Sequence, residues 1–225
     1  MGIELTPRLA AAASLVRGGG ILADIGTDHG YLPAYLVLNN KVQAAIAADV
    51  RKMPLKNAEN TVRAYGLSQK ITLKLSDGLE AFSQGEADEF VFAGMGGTLI
   101  AELMAKAPWV KNENLHFVFQ PQSRAEELRE YLWQNGFCIG TELAVREGKR
   151  FYICFDAVYT GEVRTYTPAE AFTGNLPHNE CAVGFIRRQY LRMRKKYDAL
   201  ILKGETEETK RLFEITEALR EFSDV

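Results

Sequence analysis

Cysteine and histidine are scarce, with three of each in 225 residues. Cys138, Cys154 and Cys181 contain no CxxC pair, and His29, His116 and His178 show no ligand spacing. Both counts argue against a zinc site and against a disulfide scaffold. Long apolar runs are missing too. Leu9 to Val16 is interrupted by Ser14 and preceded by Glu4 where an export signal would be basic, and nothing approaches the ~18 apolar residues of a membrane span. Nor is there an excess of one charge: 27 Lys plus Arg face 29 Asp plus Glu, a net charge of −2. Bulk charge therefore cannot hold a polyanion, and any nucleic-acid affinity must come from local clustering. These absences predict a soluble protein of a reducing cytoplasm, without metal or membrane partner. What the chain has in quantity is apolar residues, 47 % of the total, which excludes wholesale disorder. Its length suits one domain with an appendage, or two small ones.

Periodicity supplies the fold class. Thr6 before Pro7 reads as a helix start, with Leu9, Ala12, Ala13 and Val16 at helical spacing. A strand over 20–24 then leads through a glycine turn to the helix YLPAYLVL. AAIAAD ends in Asp49, and Pro54 is expected to start a helix with Leu55, Ala58 and Val62 inward. The alternation continues with ITLKL, with EFVFA and the helix TLIAELMAKA, and with LHFVFQ and a helix over 125–135, for which Ser123 and Glu126 suggest a capping box. Two β-rich runs around Glu147-Gly148-Lys149 read as a hairpin. The prediction is an α/β protein: a mostly parallel seven-stranded Rossmann-like sheet, helices on both faces and a terminal antiparallel hairpin. After about residue 163 the strands stop. Ile186, Tyr190, Met193, Tyr197 and Leu200, then Leu212, Ile215, Leu219 and Phe222, form two helical stripes, expected to pair as an antiparallel coiled-coil hairpin. The expected domains are 1–163 and 164–225. The stripes can be consumed within the hairpin, which leaves oligomeric state open and a monomer admissible. Cys138, Cys154 and His116 are expected to be buried packing residues.

In an open α/β sheet the ligand sits at the C-terminal strand ends. The first turn, Asp24-Ile25-Gly26-Thr27-Asp28-His29-Gly30, lacks the G-x-G-x-x-G spacing of a dinucleotide cradle and carries carboxylates that would repel a pyrophosphate. A nicotinamide-dependent oxidoreductase is therefore disfavoured. Carboxylates suit a cationic ligand, and S-adenosylmethionine combines a sulfonium, an ammonium and a ribose diol. Asp49 ends the second strand and can accept from the diol. Asp77-Gly78-Leu79 follows the third, with Asp77 for the adenine amine and Leu79 for the ring face. The segment AGMGG occupies the place where exocyclic N6-methylating enzymes carry (N/D)PP(Y/F), so the acceptor is expected not to be an amine.

The combination DIGTDHGYLP, AADV, SDGLEAF, AGMGG before LIAEL, and FQPQ resembles the TrmK-type tRNA (adenine-N1) methyltransferases over essentially the whole chain. The resemblance implies a class I methyltransferase core with a helical C-terminal coiled coil, S-adenosylmethionine as donor, and N1 of adenine 22 in tRNA as acceptor. Matching positions imply cofactor contacts at Asp24, Gly26, Asp28, Gly30, Asp49, Asp77, Gly78, Gly94, Met95 and Gly96, and the neighbouring Val50 and Leu79 are expected to join them. Neutral adenine N1 is already nucleophilic, so transfer needs positioning and a dry site. Positive charge then builds on the base, and Asp28 first and His29 second are the candidates to stabilise it. Arg8, Tyr31, Gly97 and Gln120 are candidates for the acceptor side.

The chain halves differ in charge: 1–163 has 16 basic and 19 acidic residues, 164–225 has 11 and 10. Six of those basic residues lie in RRQYLRMRKK. Arg187, Arg188, Arg192, Arg194, Lys195 and Lys196 form the expected tRNA-contacting face. An acidic second helix could instead neutralise it. A non-catalytic RNA-binding protein on a methyltransferase fold is the remaining alternative.

Overall fold

The structure, a computed structural model, describes residues 2–223. Seven strands form one sheet: β1 (Ile21–Ile25), β2 (Ala44–Asp49), β3 (Ile71–Leu75), β4 (Glu89–Ala93), β5 (His116–Gln120), β6 (Phe137–Glu147) and β7 (Arg150–Tyr159). Their order is β3-β2-β1-β4-β5-β7-β6. Pairings among the first five are parallel, whereas β7 runs antiparallel to β5 and to β6. The chain reaches the β3 edge and then returns to place β4 beside β1, which opens a crevice at the C-terminal ends of these two strands.

Strand residues alternate between two apolar layers. Phe90, Phe92, Phe117 and Phe119 join one cluster, while Val91 and Val118 join the other. The second layer is closed by α1 (Pro7–Leu15), α2 (Tyr31–Leu38) and α3 (Lys52–Ala64). On the first lie α4 (Gly97–Ala105), α5 (Ala125–Gln134), α6 (Pro168–Thr173), α7 (Glu180–Ile201) and α8 (Glu207–Ser223). Helices α7 and α8 pack against each other, and Ile186, Met193, Leu212, Ile215 and Leu219 share one cluster with Trp133, Phe137 and Ile153 of the core. The C-terminal helices therefore complete the apolar layer of the sheet. No helix among the described residues is long and apolar enough to cross a membrane.

Several local expectations are corrected. Helix α3 starts at Lys52, so Pro54 is buried inside the first turn, where no backbone donor is required, and Leu55 is only half-buried. No capping box forms at Ser123. The residue capping α5 is Arg124, at φ 54° and without a side-chain cap, while the Ser123 carbonyl accepts from Gly97 N at 2.7 Å. Glu126 instead receives Arg192 Nη2 at 2.5 Å. A complete capping box occurs at Thr167 and Glu170, before the unforeseen helix α6. Cys154 is buried, but Cys138 is exposed.

Two buried ionic groups tie elements together. At the N-terminal strand ends, His116 lies between Glu89 at Nδ1 and Asp156 Oδ2 at 3.0 Å from Nε2. Burial opposes the charged ring, yet the bonds to Asp156 and Glu89 together outweigh it and hold the His116 pKa above its usual value. In the first layer, Arg129 pairs with Glu142 through Nη2 at 2.6 Å and Nε at 3.3 Å. Arg129 Nη1 also donates to the carbonyls of Ala171 and Phe172, at 2.8 and 3.1 Å. One side chain thus joins α5, β6 and the last turn of α6.

Candidate active site

The turns following β1, β2, β3 and β4 converge on an open cavity of about 570 Å³. In the first turn, Gly26 N and Thr27 N both donate to Ala48 O at 2.8 Å, which folds the turn across the end of β2. Gly26 has φ 79°, and a Cβ there would lie 2.7 Å from Met95 Cε. Glycine is thus required by conformation, whereas the Met95 methyl could swing aside. Because these two amides are committed to Ala48, they cannot cradle a pyrophosphate.

The carboxylates dominate what remains. Asp24 is 5 % exposed. Burial pushes its pKa up to about 6; the Thr27 hydroxyl pulls it partly down, and the Asp49 carboxylate adds to the rise. Although near Asp24, Thr27 Oγ1 is buried without a partner at hydrogen-bond length. A buried acid with no cationic partner, beside a hydroxyl that lacks a partner at hydrogen-bond length, suits a hydrogen-bonding cation. Asp49 Oδ1 accepts from Arg51 N at 2.8 Å. Among the described residues, no hydrogen bond is made by Asp49 Oδ2. Ser76 Oγ donates to Gly78 O at 2.8 Å and accepts from Ala81 N at 3.1 Å, fixing the turn that presents Asp77. Three carboxylate-bearing turns without a phosphate cradle suit a positively charged nucleoside.

Of the residues singled out in the sequence, Asp24, Gly26, Asp28, Gly30, Asp49 and Val50 line this cavity, as do Asp77, Gly78, Gly94 and Met95. Arg8, His29 and Tyr31 line it too. Asp28 Oδ2 is 3.4 Å from His29 Nε2, and the His29 ring stacks on Tyr31 at 5.5 Å. Four residues are placed elsewhere. Leu79 is 2 % exposed and packs in the core with Phe82, so it offers no ring face; Leu99 and Leu103 bring apolar surface to the cavity. Gly97 lies where a Cβ would be 2.1 Å from Arg124 O, which makes it a packing glycine between α4 and the turn before α5. Gly96 pairs with Ser123 in an isolated bridge outside the cavity. Gln120 is fully buried, and its Oε1 accepts from Arg8 Nη1 at 3.3 Å.

A family model described as a methyltransferase domain matches residues 5–155. A Bacillus subtilis (strain 168) protein named tRNA (adenine(22)-N(1))-methyltransferase is 35 % identical over 150 residues, 67 % of this chain and 63 % of that protein. The alignment thus spans just under two thirds of the curated relative. The crystal structure of the B. subtilis m1A22 tRNA methyltransferase TrmK superposes with a TM-score of 0.86 at 29 % identity, covering 99 % of this chain and 100 % of that one. A candidate tRNA (m1A22) methyltransferase of Streptococcus pneumoniae, in complex with S-adenosyl-L-methionine, gives 0.80 at 30 % identity over 96 % and 98 % of the two chains. The chain belongs to the TrmK-type methyltransferase family.

The basic helix of this TrmK-type chain is more committed than its sequence suggests. Arg192 is bound to Glu126, with its guanidinium 5.8 Å from the Phe172 ring, and so fastens α7 to α5 and α6. Arg194 pairs with Asp198, Lys196 crosses to Glu208 of α8, and Arg188 lies over Phe151. Arg187 and Lys195 are exposed and have no ion pair among the described residues. Sequence reasoning missed Thr6, Leu9, Thr27 and Gln122, all of which line the cavity. Thr6 and Leu9 were hidden because nothing local shows that the start of α1 lines the cavity. Gln122 was hidden because its near-twin Gln120 carries the same signal.

Proposed function

We propose that this protein transfers a methyl group from S-adenosylmethionine to N1 of adenine 22 in tRNA, in the cytoplasm, with residues 164–225 as the tRNA-contacting domain. The observation that carries the reading is the first turn: Gly26 and Thr27 amides bound to Ala48, beside a buried Asp24 with a pKa of about 6 and an unpartnered Thr27 hydroxyl. That arrangement fits the cationic methionyl end of the cofactor and not a dinucleotide. When bound, S-adenosylmethionine supplies an electrophilic methyl on a sulfonium.

The chain's own groups do the rest. With the cofactor bound, Asp49 would hold the ribose diol, Asp77 the adenine amine and Asp24 the cationic end; all three line the cavity. Adenine N1 has a free lone pair at neutral pH, so no protein base has to remove a proton before attack. The base gains positive charge as it is methylated, and Asp28, exposed to the cavity beside His29, stabilises that charge.

Tritium transfer from labelled cofactor to tRNA, followed by nucleoside analysis, tests the function: 1-methyladenosine is expected, and its absence rejects the reading. Asp28→Ala should lower turnover at saturating cofactor by roughly 10- to 1000-fold, whatever it does to the affinity for S-adenosylhomocysteine; normal turnover removes Asp28 from catalysis. The Asp24 carboxyl also sets a pH dependence. Protonation below about 6 removes the charge facing the cation, so S-adenosylmethionine should bind more weakly at pH 5 than at pH 7.5. Affinity that is flat over this range would contradict a cation contact at Asp24.

A further inference from the structure

Arg8 reaches the cavity from the first turn of α1, and three strands hold it there. Its Nε lies 3.4 Å from Glu147 Oε1 at the end of β6, and its backbone N donates to Glu147 Oε2 at 3.3 Å. Its Nη1 donates to the buried Gln120 Oε1 at the end of β5, at 3.3 Å, and its Cζ sits 5.8 Å from the centroid of the Tyr152 ring on β7. Arg8 Nη1 would also be 3.7 Å from a Cβ placed on Gly94, which locates the guanidinium beside the GMGG turn. Nη2 makes no hydrogen bond among the described residues.

We propose that Glu147 and Gln120 are positioning residues that aim Arg8 at the acceptor nucleotide, and that Glu147 also cancels the arginine's charge beside the base. The inference rests on the methyl-transfer reading above and adds a role for the β6–β7 hairpin. An arginine on the exposed first turn of a helix would otherwise sample many rotamers, and clamping it at Nε and at one Nη1 hydrogen leaves the two Nη2 hydrogens and the second Nη1 hydrogen for a ring nitrogen or phosphate oxygen of the nucleotide. The charge argument is independent of the clamp. Adenine becomes cationic as N1 takes the methyl, so an unpaired guanidinium alongside would oppose the reaction, and the Glu147 carboxylate removes that opposition.

The test is a double-mutant cycle on the full-length protein with tRNA and labelled cofactor. Glu147→Ala should lower kcat/KM for tRNA by about 10- to 100-fold, with most of the loss in kcat. Affinity for S-adenosylhomocysteine should stay within about twofold. Glu147→Gln, which keeps an acceptor for Arg8 but not the charge, should recover the tRNA KM more than kcat. Added to Arg8→Ala, the Glu147→Ala change should cost less than about threefold, because its target is gone. Four outcomes overturn the proposal: a fully active Glu147→Ala protein, losses that multiply in the double variant, a parallel fall in cofactor affinity, or a Glu147→Gln protein no better than Glu147→Ala. A wild-type protein that transfers no methyl to tRNA overturns the function and this inference together, whereas an active wild type with an equally active Glu147→Ala variant overturns this one alone.

Discussion

Arg129→Met should lower the melting temperature by roughly 6–20 °C. Removing one partner of a buried ion pair costs about 3–5 kcal/mol, and a chain of this size loses about 2–4 °C per kcal/mol. Both side chains are essentially inaccessible, at 1 % for Arg129 and 0 % for Glu142, so the surviving carboxylate has no water to turn to. A second deficit follows at α6, where the carbonyls of Ala171 and Phe172 lose their donor at a helix end that needs one. Adding Glu142→Leu should therefore recover only part of the loss. Thermal unfolding followed by circular dichroism checks the size of the effect, and hydrogen exchange should show α6 opening first. A drop of less than about 2 °C would mean that the pair contributes little.

Asp49→Ala should reduce S-adenosylmethionine affinity by two orders of magnitude or more. Hydrogen bonds to a charged group contribute about 1.5–3 kcal/mol each, and two from the ribose diol would be lost. The side chain is 6 % exposed, so water replaces it poorly. The loss should be in affinity and not in fold, because the one protein hydrogen bond of its carboxylate closes a local turn with Arg51 N. Asp49→Asn should fall between the two, since the amide keeps one acceptor. Calorimetric titration reads both variants; wild-type affinity in Asp49→Ala would move the ribose contact elsewhere.

The alternation of strands and helices was legible because the sheet is regular: ILADI, AAIAAD, EFVFA and HFVFQ are apolar runs between helix signals, and Gly148 marks the hairpin. Boundaries failed where tertiary contacts override local chemistry. Ser123 has the sequence of a capping residue, but its carbonyl is taken by Gly97, which leaves Arg124 in the left-handed region. At the site, acids were recognisable because a carboxylate at a strand end is conspicuous. Leu79 and Gln120 were misplaced because sequence does not say which side of a short turn faces the cavity. Thr27 was passed over because a threonine in a turn is ordinary until its hydroxyl proves to be buried and unpartnered. Arg129 gave no signal at all: an arginine on an amphipathic helix reads as solvated until a carboxylate from another element covers it.

The two ends of the sheet treat buried acids in opposite ways. Glu89 and Asp156 share a histidine, whereas Asp24 has no cation in the protein. With a carboxyl at about 6 against an ordinary 3.8, keeping Asp24 ionised at neutral pH costs the ligand-free fold on the order of 3 kcal/mol. This contribution to stability is complete below the unfolded value and is lost as pH rises through the folded one. The ligand-free protein should therefore gain from mild acid at the cofactor end, and Asp24→Asn should make it more resistant to heat while impairing its chemistry. The cavity is a place where stability has been given up in advance, and a cationic ligand restores it on arrival.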